Sequence, residues 1–315
     1  MESKSEKNIE SLDSIIKVSL EEHKKWLSQA KQLARLRDTG WLKLFQSVDG
    51  AKATSYEQAI YRRLGIDFEI LDAHQIQQLE PALKPIYGSA LFIKDASSVD
   101  HPGEVTQSYI DLFVSKGGEL IRDDIKQLRM QGKQVCLQGR TDYIADQLVL
   151  AAGPWSNDLL QTVSKPIPMC FERGYHQHYH FPAGPKLTRP VYDVDGAFVL
   201  TPTTQGYRLT SGSELKDKDA AASPVQLEEV ALSAQHATEL GPLVEESVWQ
   251  GNRPTLPDSL PVIGRSAPSS VIWLAFGHQH VGFSTGPATG RLIAEMMAGE
   301  STFISALPFS PTRFH

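Results

Sequence analysis

The sequence predicts a mixed α/β (α+β) fold in which an α/β layer of the nucleotide-binding type accompanies an antiparallel sheet. Three observations lead to this fold class. A helix from Pro102, a buried apolar strand and the small-residue loop 151–153 follow one another, an order typical of nucleotide-binding layers. Residues 166–215 alternate short strands with Pro and Gly, which favours antiparallel pairing. A last apolar strand, 271–277, runs into a glycine-rich loop at 277–290.

The composition is that of an ordinary globular protein. The 315 residues are 41% hydrophobic, enough for a large core and two domains. A net charge of −6 gives no reason to expect nucleic acid as a partner. There is no apolar run long enough for a transmembrane helix, and the polar start does not resemble a secretory signal. Because only two cysteines occur, a cytoplasmic protein is expected.

The first hundred residues are expected to alternate helices and strands. Ile9, Leu12 and Ile16 share one face of an amphipathic helix over the first thirty residues. The elements predicted next are a strand at 41–47, a helix at 53–64, a helix at 72–83 that Asp72 caps and Pro81 stops, and a strand at 89–95.

The pattern from Pro102 onward predicts a helix that ends at Gly117 and Gly118. The elements expected after it are a short strand at 120–125, a hairpin around Gln131 and Gly132, a buried strand after Asp146, a helix at 223–242 and an extended, proline-studded segment at 247–265.

The glycine-rich loop leads into a predicted helix whose first turn could bind an electron-rich group. Ser284 or Thr285 can cap a helix that begins near Pro287 and ends before Gly299. The free N–H groups and the helix dipole would then face whatever lies in the loop, and a reduced flavin carries negative charge that such a helix start stabilises. A glycine-rich turn that binds nothing is the alternative.

Two further stretches carry weaker signals. LVLAAGPWSNDLL (148–160) places small residues at the carboxyl end of a strand, where nucleotides bind in α/β layers. GNRPTLPDSLPVIG (251–264) presents Arg253, and Asp258 is its only other charged residue. A guanidinium can hold a carboxylate through two parallel bonds. A structural arginine is the alternative.

In this order, the three stretches resemble the FAD-dependent D-amino-acid oxidase superfamily, most closely its bacterial D-amino-acid dehydrogenase branch. The resemblance runs from about residue 10 to the end. The matching stretches are GWLKLFQS, ALFIKDASSVDHPGEV, LVLAAGPWSNDLL, ERGYHQHY, NRPTLPDSLPVIG and FGHQHVGFSTGPATGRLIAEMM.

The resemblance implies FAD as cofactor and oxidation of the CH–NH bond of a D-amino acid or related amine by hydride transfer to flavin N5. A quinone, another carrier or oxygen would then take the electrons. Such a partner makes attachment to the surface of the inner membrane an alternative to a free cytoplasmic protein.

The resemblance also implies roles for individual residues. Arg253 corresponds to the arginine that binds the amino-acid carboxylate. Phe198 falls where the oxidases place a tyrosine hydroxyl on that carboxylate, so the hydroxyl is absent here. The implied FAD contacts are Ile125 at the adenine, Ala152 and Gly153 near the pyrophosphate and ribityl chain with Trp155 capping that turn, and Gly277, Gln279, His280, Val281, Gly282, Phe283 and Ser284 around the isoalloxazine.

The implied architecture has two domains. An FAD-binding domain would comprise 100–160 and 245–315, a substrate domain 38–99 and 161–244, and a helix within 1–37 would pack between them. The family normally begins with a strand, G-x-G-x-x-G and a helix, and no such motif occurs here. We therefore expect a truncated chain, or one half of a split enzyme with a complementing N-terminal chain, that binds FAD weakly and exposes a sheet edge.

Two other classes compete with this interpretation. His176, His178 and His180 alternate along a strand and could ligate zinc in a hydrolase. A fourth ligand is missing, so no metal site is expected. His278 and His280 are expected to be loop or packing residues, because hydride transfer from a neutral amine needs no general base. The second alternative is a non-catalytic remnant or interaction subunit.

Overall fold

A computed structural model describes residues 4–268 and 270–314, which form seven α-helices and sixteen β-strands. The helices are α1 (Lys4–Gln29), α2 (Ser55–Leu64), α3 (Ala73–Leu79), α4 (Pro102–Ser115), α5 (Ser156–Leu160), α6 (Val225–Ala237) and α7 (Gly282–Ala298). The strands are β1 (Leu36–Arg37), β2 (Trp41–Phe45), β3 (Phe68–Asp72), β4 (Ser89–Ile93), β5 (Ser98–Val99), β6 (Gln127–Gln131), β7 (Gln134–Gln138), β8 (Asp142–Ala145), β9 (Leu148–Leu150), β10 (Cys170–Tyr179), β11 (Val191–Asp193), β12 (Phe198–Thr203), β13 (Gly206–Leu215), β14 (Trp249–Thr255), β15 (Val262–Arg265) and β16 (Ile272–Phe276).

An eight-stranded sheet forms the larger half of the molecule, in the order β14-β10-β13-β12-β11-β2-β4-β3. All of its pairs are antiparallel except β11 with β2. One face is apolar because alternate residues of each strand point toward the same side. Leu42, Leu200 and Leu209 on that face are fully buried, and α6 covers them with Leu227 and Ala234.

A smaller sheet, β15-β16-β9, carries the C-terminal helix. β9 pairs with β16 in parallel, and β15 pairs with β16 antiparallel. α7 covers one face of this sheet through Ala288 and Leu292, which pack against Trp273. α1 lies along α7 and adds Ile15 to the same cluster. The first helix therefore anchors the start of the chain beside the glycine-rich loop.

Many of the predicted elements are confirmed. The helix at 72–83 is α3, and its cap is reciprocal: the carboxylate of Asp72 accepts from the N–H of Gln75 at 2.9 Å, and the side chain of Gln75 accepts from the N–H of Asp72 at 2.9 Å. This capping box fixes the start of the helix. The helix ends at Leu79, two residues before Pro81.

The predicted strand at 120–125 is wrong. Those residues have no regular secondary structure, and Leu120 and Ile121 are about half exposed. A strand requires a neighbour to pair with, and this segment pairs with none of the described strands. Asp123 instead holds the segment against β8, because its carboxylate accepts from the hydroxyl of Tyr143 at 2.8 Å.

Trp249–Thr255, which the resemblance placed in the FAD-binding domain, pairs with β10 along its whole length. It is the outermost strand of the eight-stranded sheet. The residues from Val262 onward, by contrast, belong to the smaller sheet and its helix. The division of the chain into two domains otherwise stays a prediction.

Candidate functional site

A cavity of about 1150 Å³ opens between α1, the start of α7 and the β10–β14 end of the large sheet. Its lining contains two arginines, Arg208 and Arg253, and two carboxylates, Asp95 and Glu245. Five histidines also line the cavity: His23, His101, His176, His178 and His280. The cavity therefore combines fixed positive charge with imidazoles that can donate or accept.

The glycine-rich loop forms one wall of this cavity through Gln279, His280, Gly282, Phe283 and Ser284. The turn into it is tight, since both Gly277 and Gln279 have positive φ, at 82° and 49°. A Cβ on Gly277 would lie 2.7 Å from Cδ1 of Leu256. The loop closes as a short 3₁₀ helix, Gln279–Val281, and α7 follows without a side-chain cap.

The predicted start of α7 near Pro287 is wrong, because the helix begins five residues earlier at Gly282. Pro287 lacks the N–H that would bond the carbonyl of Phe283 in a regular helix. His23 of α1 supplies that donor: its Nε2 lies 3.1 Å from the carbonyl oxygen of Phe283 and 2.9 Å from that of Ser284. The proline is thereby accommodated within the helix. Gly299 ends it in a left-handed conformation, as predicted.

The partners of His23 define its tautomer. Both carbonyls can only accept, so Nε2 carries the proton, and Nδ1 accepts from the hydroxyl of Tyr109 at 2.6 Å. Burial lowers the pKa of His23, which keeps the ring neutral. One buried imidazole thus joins α1, α4 and the first turn of α7.

Replacing His23 with leucine should destabilise the protein by about 2–4 kcal/mol, since two carbonyls and a buried hydroxyl lose their partner. Urea denaturation followed by circular dichroism measures the loss. Tyr109→Phe removes a single bond and should cost about 1 kcal/mol. The exposed His74 on α3 provides the control, and His74→Leu should leave the midpoint unchanged. Equal midpoints for His23→Leu and wild type would show that the three-helix contact has no structural role.

Arg253 enters the cavity from β14, opposite Glu172 of β10. Its Nη1 donates to the hydroxyl of Ser213 at 3.2 Å. The guanidinium lies flat against Gly174, where a Cβ would stand 2.4 Å from Nη2. Burial lowers the pKa of Arg253 and the charge of Glu172 opposes that effect, but an arginine stays charged at any physiological pH. No carboxylate in the described residues forms an ion pair with it.

Glu172 was not identified from the sequence. Its Oε2 lies 2.8 Å from Nε2 of His280, and its Oε1 accepts from the hydroxyl of Thr255 at 2.9 Å. Burial raises the pKa of Glu172, but the hydrogen bonds from His280 and Thr255 lower it overall. The pair fastens the glycine-rich loop to the strand beside Arg253. Glu172 and His280 are 108 positions apart, so no pattern among neighbouring residues could have predicted that they are hydrogen-bonded.

The family model for FAD dependent oxidoreductases (DAO) matches residues 5–296. The chain belongs to the DAO family. It is 32% identical over 263 residues to a D-amino-acid oxidase of Bradyrhizobium diazoefficiens, with 80% of this chain and 61% of the relative covered. It is 26% identical over 298 residues to a D-amino acid dehydrogenase of Cereibacter sphaeroides, with 88% and 65% covered. The chain thus spans less than two thirds of the length of these relatives.

Solved structures of similar fold include glycine oxidase from Geobacillus kaustophilus, with a TM-score of 0.83 at 20% identity over 95% of this chain and 81% of that chain. L-Proline dehydrogenase from P. horikoshii gives a TM-score of 0.82 at 19% identity over 96% and 82%. These similarities confirm the predicted fold class, a DAO-type mixture of helices and sheets. Within the described residues, no helix has the length and apolar character needed to cross a bilayer.

The other residues that the resemblance tied to the DAO cofactor are not part of the described lining of this cavity. Ile125 and Ala152 pack against one apolar cluster, around Leu150 and Leu274. Gly153, with φ of 55°, begins a 3₁₀ helix, Gly153–Trp155, that contacts β14. Gly277 and Val281 stand in the glycine-rich loop but outside the described lining. Their proposed contacts with FAD stay predictions.

Phe198 lies away from the cavity. Along β12, Phe198 and Leu200 face the buried core, whereas Thr201 and Thr203 line the cavity. The side chain of Phe198 is 1% exposed. Because alternate residues of a strand point to opposite faces, a direct contact between Phe198 and a substrate carboxylate does not fit this position.

The three alternating histidines do not converge on one point. His176 and His178 line the cavity, whereas His180 is exposed beyond the end of β10. The ring of His176 stacks on Trp249, with centroids 4.6 Å apart. Among the residues that the structure describes, no group of three His, Cys, Asp or Glu side chains is arranged to hold a metal ion.

The residues present fit one end of the DAO-family cofactor. The uncapped start of α7 offers backbone N–H groups and the positive end of a helix dipole, which suit an electron-rich ring edge. The cavity of about 1150 Å³ exceeds the 300–1,000 Å³ typical of small-molecule sites. The fit concerns the flavin ring, because the sequence contains no G-x-G-x-x-G turn for the diphosphate.

The stability of this region should depend on pH through His278, whose Nε2 lies 3.0 Å from the hydroxyl of Thr289. Burial lowers the pKa of His278 to about 4, below the value of about 6.5 in an unfolded chain. Its contribution is therefore complete above pH 6.5 and is lost as the pH falls toward 4. We expect a loss of about 2–3 kcal/mol from this imidazole. Urea titrations from pH 7.5 to 4 should show a shallower decline for His278→Gln, and identical slopes would contradict the assignment.

Proposed function

We propose that this chain forms the flavin-ring and substrate-binding part of an FAD-dependent enzyme that oxidises the CH–NH bond of a D-amino acid or related amine. The observation that carries the proposal is the placement of Arg253 and the start of α7 on the walls of one cavity. A carboxylate on the arginine and an electron-rich ring at the helix would then face each other.

The residues of the chain would act mainly by positioning. Arg253 would hold the substrate carboxylate through two parallel charge-assisted bonds, which fixes the α-carbon in the cavity. When bound, FAD supplies the acceptor for a hydride. The substrate would lose its α-hydrogen as a hydride and one proton from its nitrogen, and the imine so formed would hydrolyse in water. The N–H groups at the start of α7 would stabilise the negative charge that develops at the ring edge.

The D configuration is supported by the relatives in the comparison, a D-amino-acid oxidase and a D-amino acid dehydrogenase. An oxidase passes its electrons to oxygen, whereas a dehydrogenase passes them to another acceptor such as a quinone. A quinone acceptor would bring the enzyme to the surface of the inner membrane, and oxygen would not. Oxygen uptake measured with and without added membranes separates these possibilities.

The proposal includes a complementing segment that carries the glycine-rich turn for the diphosphate. β9 is the edge strand of the smaller sheet, and Val149 on it is 37% exposed. Leu120 and Ile121 are exposed in a segment that lacks a partner strand among the described residues. A strand added along β9 would pair with the free backbone N–H and C=O groups of that edge and would cover the exposed side chain of Val149. The matched test adds a strand–turn–helix segment from a relative to the chain.

The deciding experiment is the visible absorption spectrum of the purified chain after dialysis with FAD, with and without that segment. The segment should increase the bound flavin, and a D-amino acid should bleach it without oxygen. The matched variant Arg253→Met should keep the flavin and bleach far more slowly. Bound flavin that no amino acid or amine reduces would contradict the proposed activity and favour a non-catalytic remnant.

A further inference from the structure

A second arginine, Arg208, lines the same cavity as Arg253 but has no partner of its own. Its Nε is buried without a hydrogen bond, and its guanidinium forms no ion pair with any described residue. An unpaired charge in a partly buried position costs free energy unless an anion accompanies it. The guanidinium of Arg208 is therefore a positive charge in the cavity for which the described residues supply no anionic partner.

The surroundings of Arg208 leave that positive charge uncompensated. Arg208 of β13 stands opposite Thr201 on one side and His178 on the other. Burial lowers the pKa of His178, and the charge of Arg208 lowers it further, while Glu245 opposes both. Burial, with the charge of Arg208, also lowers the pKa of His176 to about 4. Both imidazoles are thus held neutral, and Glu245 is exposed and forms no ion pair with Arg208.

The two arginines reach β10 at different points along the strand. The guanidinium of Arg253 lies against Gly174, and Arg208 pairs with His178, four residues farther along β10. At about 3.3 Å per residue, these points on the strand are separated by roughly 13 Å. Both side chains line one cavity, so a single bound molecule can contact both of them. The arrangement suits two anionic groups at opposite ends of one small molecule.

We propose that Arg208 is a specificity-determining residue that binds a carboxylate on the side chain of the substrate, so that the site prefers an acidic amino acid. The inference rests on the proposed function, in which Arg253 holds the α-carboxylate. A charge-assisted bond to Arg208 should favour an acidic substrate over its uncharged isostere by about 10- to 100-fold in affinity.

The first test compares D-glutamate with D-glutamine, which has the same shape without the charge, by calorimetry on the full chain without oxygen. Wild type should bind D-glutamate at least tenfold more tightly. Arg208→Met should abolish that preference by weakening the binding of D-glutamate far more than that of D-glutamine. Arg208→Lys should retain part of it, and Arg129→Met, at an exposed position on β6, should retain all of it. An unchanged preference in Arg208→Met would overturn the assignment.

A second test does not depend on oxidation. Glutarate at Arg208 should raise the pKa of the His178 imidazole, which nuclear magnetic resonance of ¹⁵N-labelled histidine detects directly. In Arg208→Met, the pKa should already be higher and should not respond. A response in wild type together with no oxidation of any amino acid would refute the proposed function and leave an anion site at Arg208. No response of His178 to glutarate, or equal binding of the two amino acids to wild type, would refute Arg208 as that site.

Discussion

Replacing Arg253 with methionine should lower kcat/KM for a D-amino acid by about 10²- to 10⁴-fold while the protein remains folded. Two charge-assisted bonds of about 1.5–3 kcal/mol each are lost, and each 1.36 kcal/mol of transition-state stabilisation is tenfold in rate. Flavin binding should not change, because the proposed partner of Arg253 is the substrate carboxylate and not the flavin at the start of α7. The measurement is the anaerobic rate of flavin bleaching as a function of substrate concentration.

An amine without a carboxylate provides the matched control. Such a substrate should react equally slowly with wild type and Arg253→Met, since it has no group for the guanidinium to hold. If the variant lost activity toward both kinds of substrate to the same extent, Arg253 would act on the flavin or on the fold, and carboxylate recognition would have to lie elsewhere.

Gly174→Ala tests the same contact from the other strand. The new Cβ would stand 2.4 Å from Nη2 of Arg253, and the guanidinium is the free end of a flexible side chain, so it can move aside at small cost to stability. We expect a smaller loss of kcat/KM than for Arg253→Met, mainly through KM, with an unchanged urea midpoint. A variant with full activity would show that the flat position over Gly174 is not the one that binds substrate.

The sequence predicted correctly those helix ends that are set by neighbouring residues. The capping box at Asp72 and Gln75 and the left-handed Gly299 could be read from neighbouring residues. Where a distant residue decides the structure, the predictions failed. α7 starts early because His23, some 260 positions away, replaces the donor that Pro287 lacks, and 120–125 is not a strand because no neighbour pairs with it.

The candidate site shows the same division. Arg253 and much of the glycine-rich loop were identified from motifs, and the structure places them on one cavity. Glu172 lies in the matching stretch ERGYHQHY and Arg208 in none, and neither received a role, because their importance comes from strand register and from what surrounds them across β10. Phe198 was assigned by its position in the sequence, whereas its direction depends on the alternation of β12.

Arg173→Met should reduce the free energy of unfolding by about 2–4 kcal/mol, because the hydrogen bonds of a fully buried guanidinium are lost. The side chain of Arg173 is fully buried, and its Nε lies 3.4 Å from a carboxylate oxygen of Glu214. It donates to the carbonyls of Ala220 and Ala221 at 2.9 and 3.0 Å and to the hydroxyl of Tyr175 at 2.8 Å. Urea denaturation measures the loss, and Lys216→Met at a more exposed position is the control.

The double variant Arg173→Met with Glu214→Leu separates two causes of this loss. If part of the cost comes from leaving the carboxylate of Glu214 without Arg173, removing that carboxylate as well should recover stability relative to Arg173→Met alone. If the double variant is as unstable as the single one, the cost lies in the carbonyls of Asp217, Ala220 and Ala221, to which Arg173 donates. In that case Arg173 serves to hold this loop on β10, next to Glu172 and the site.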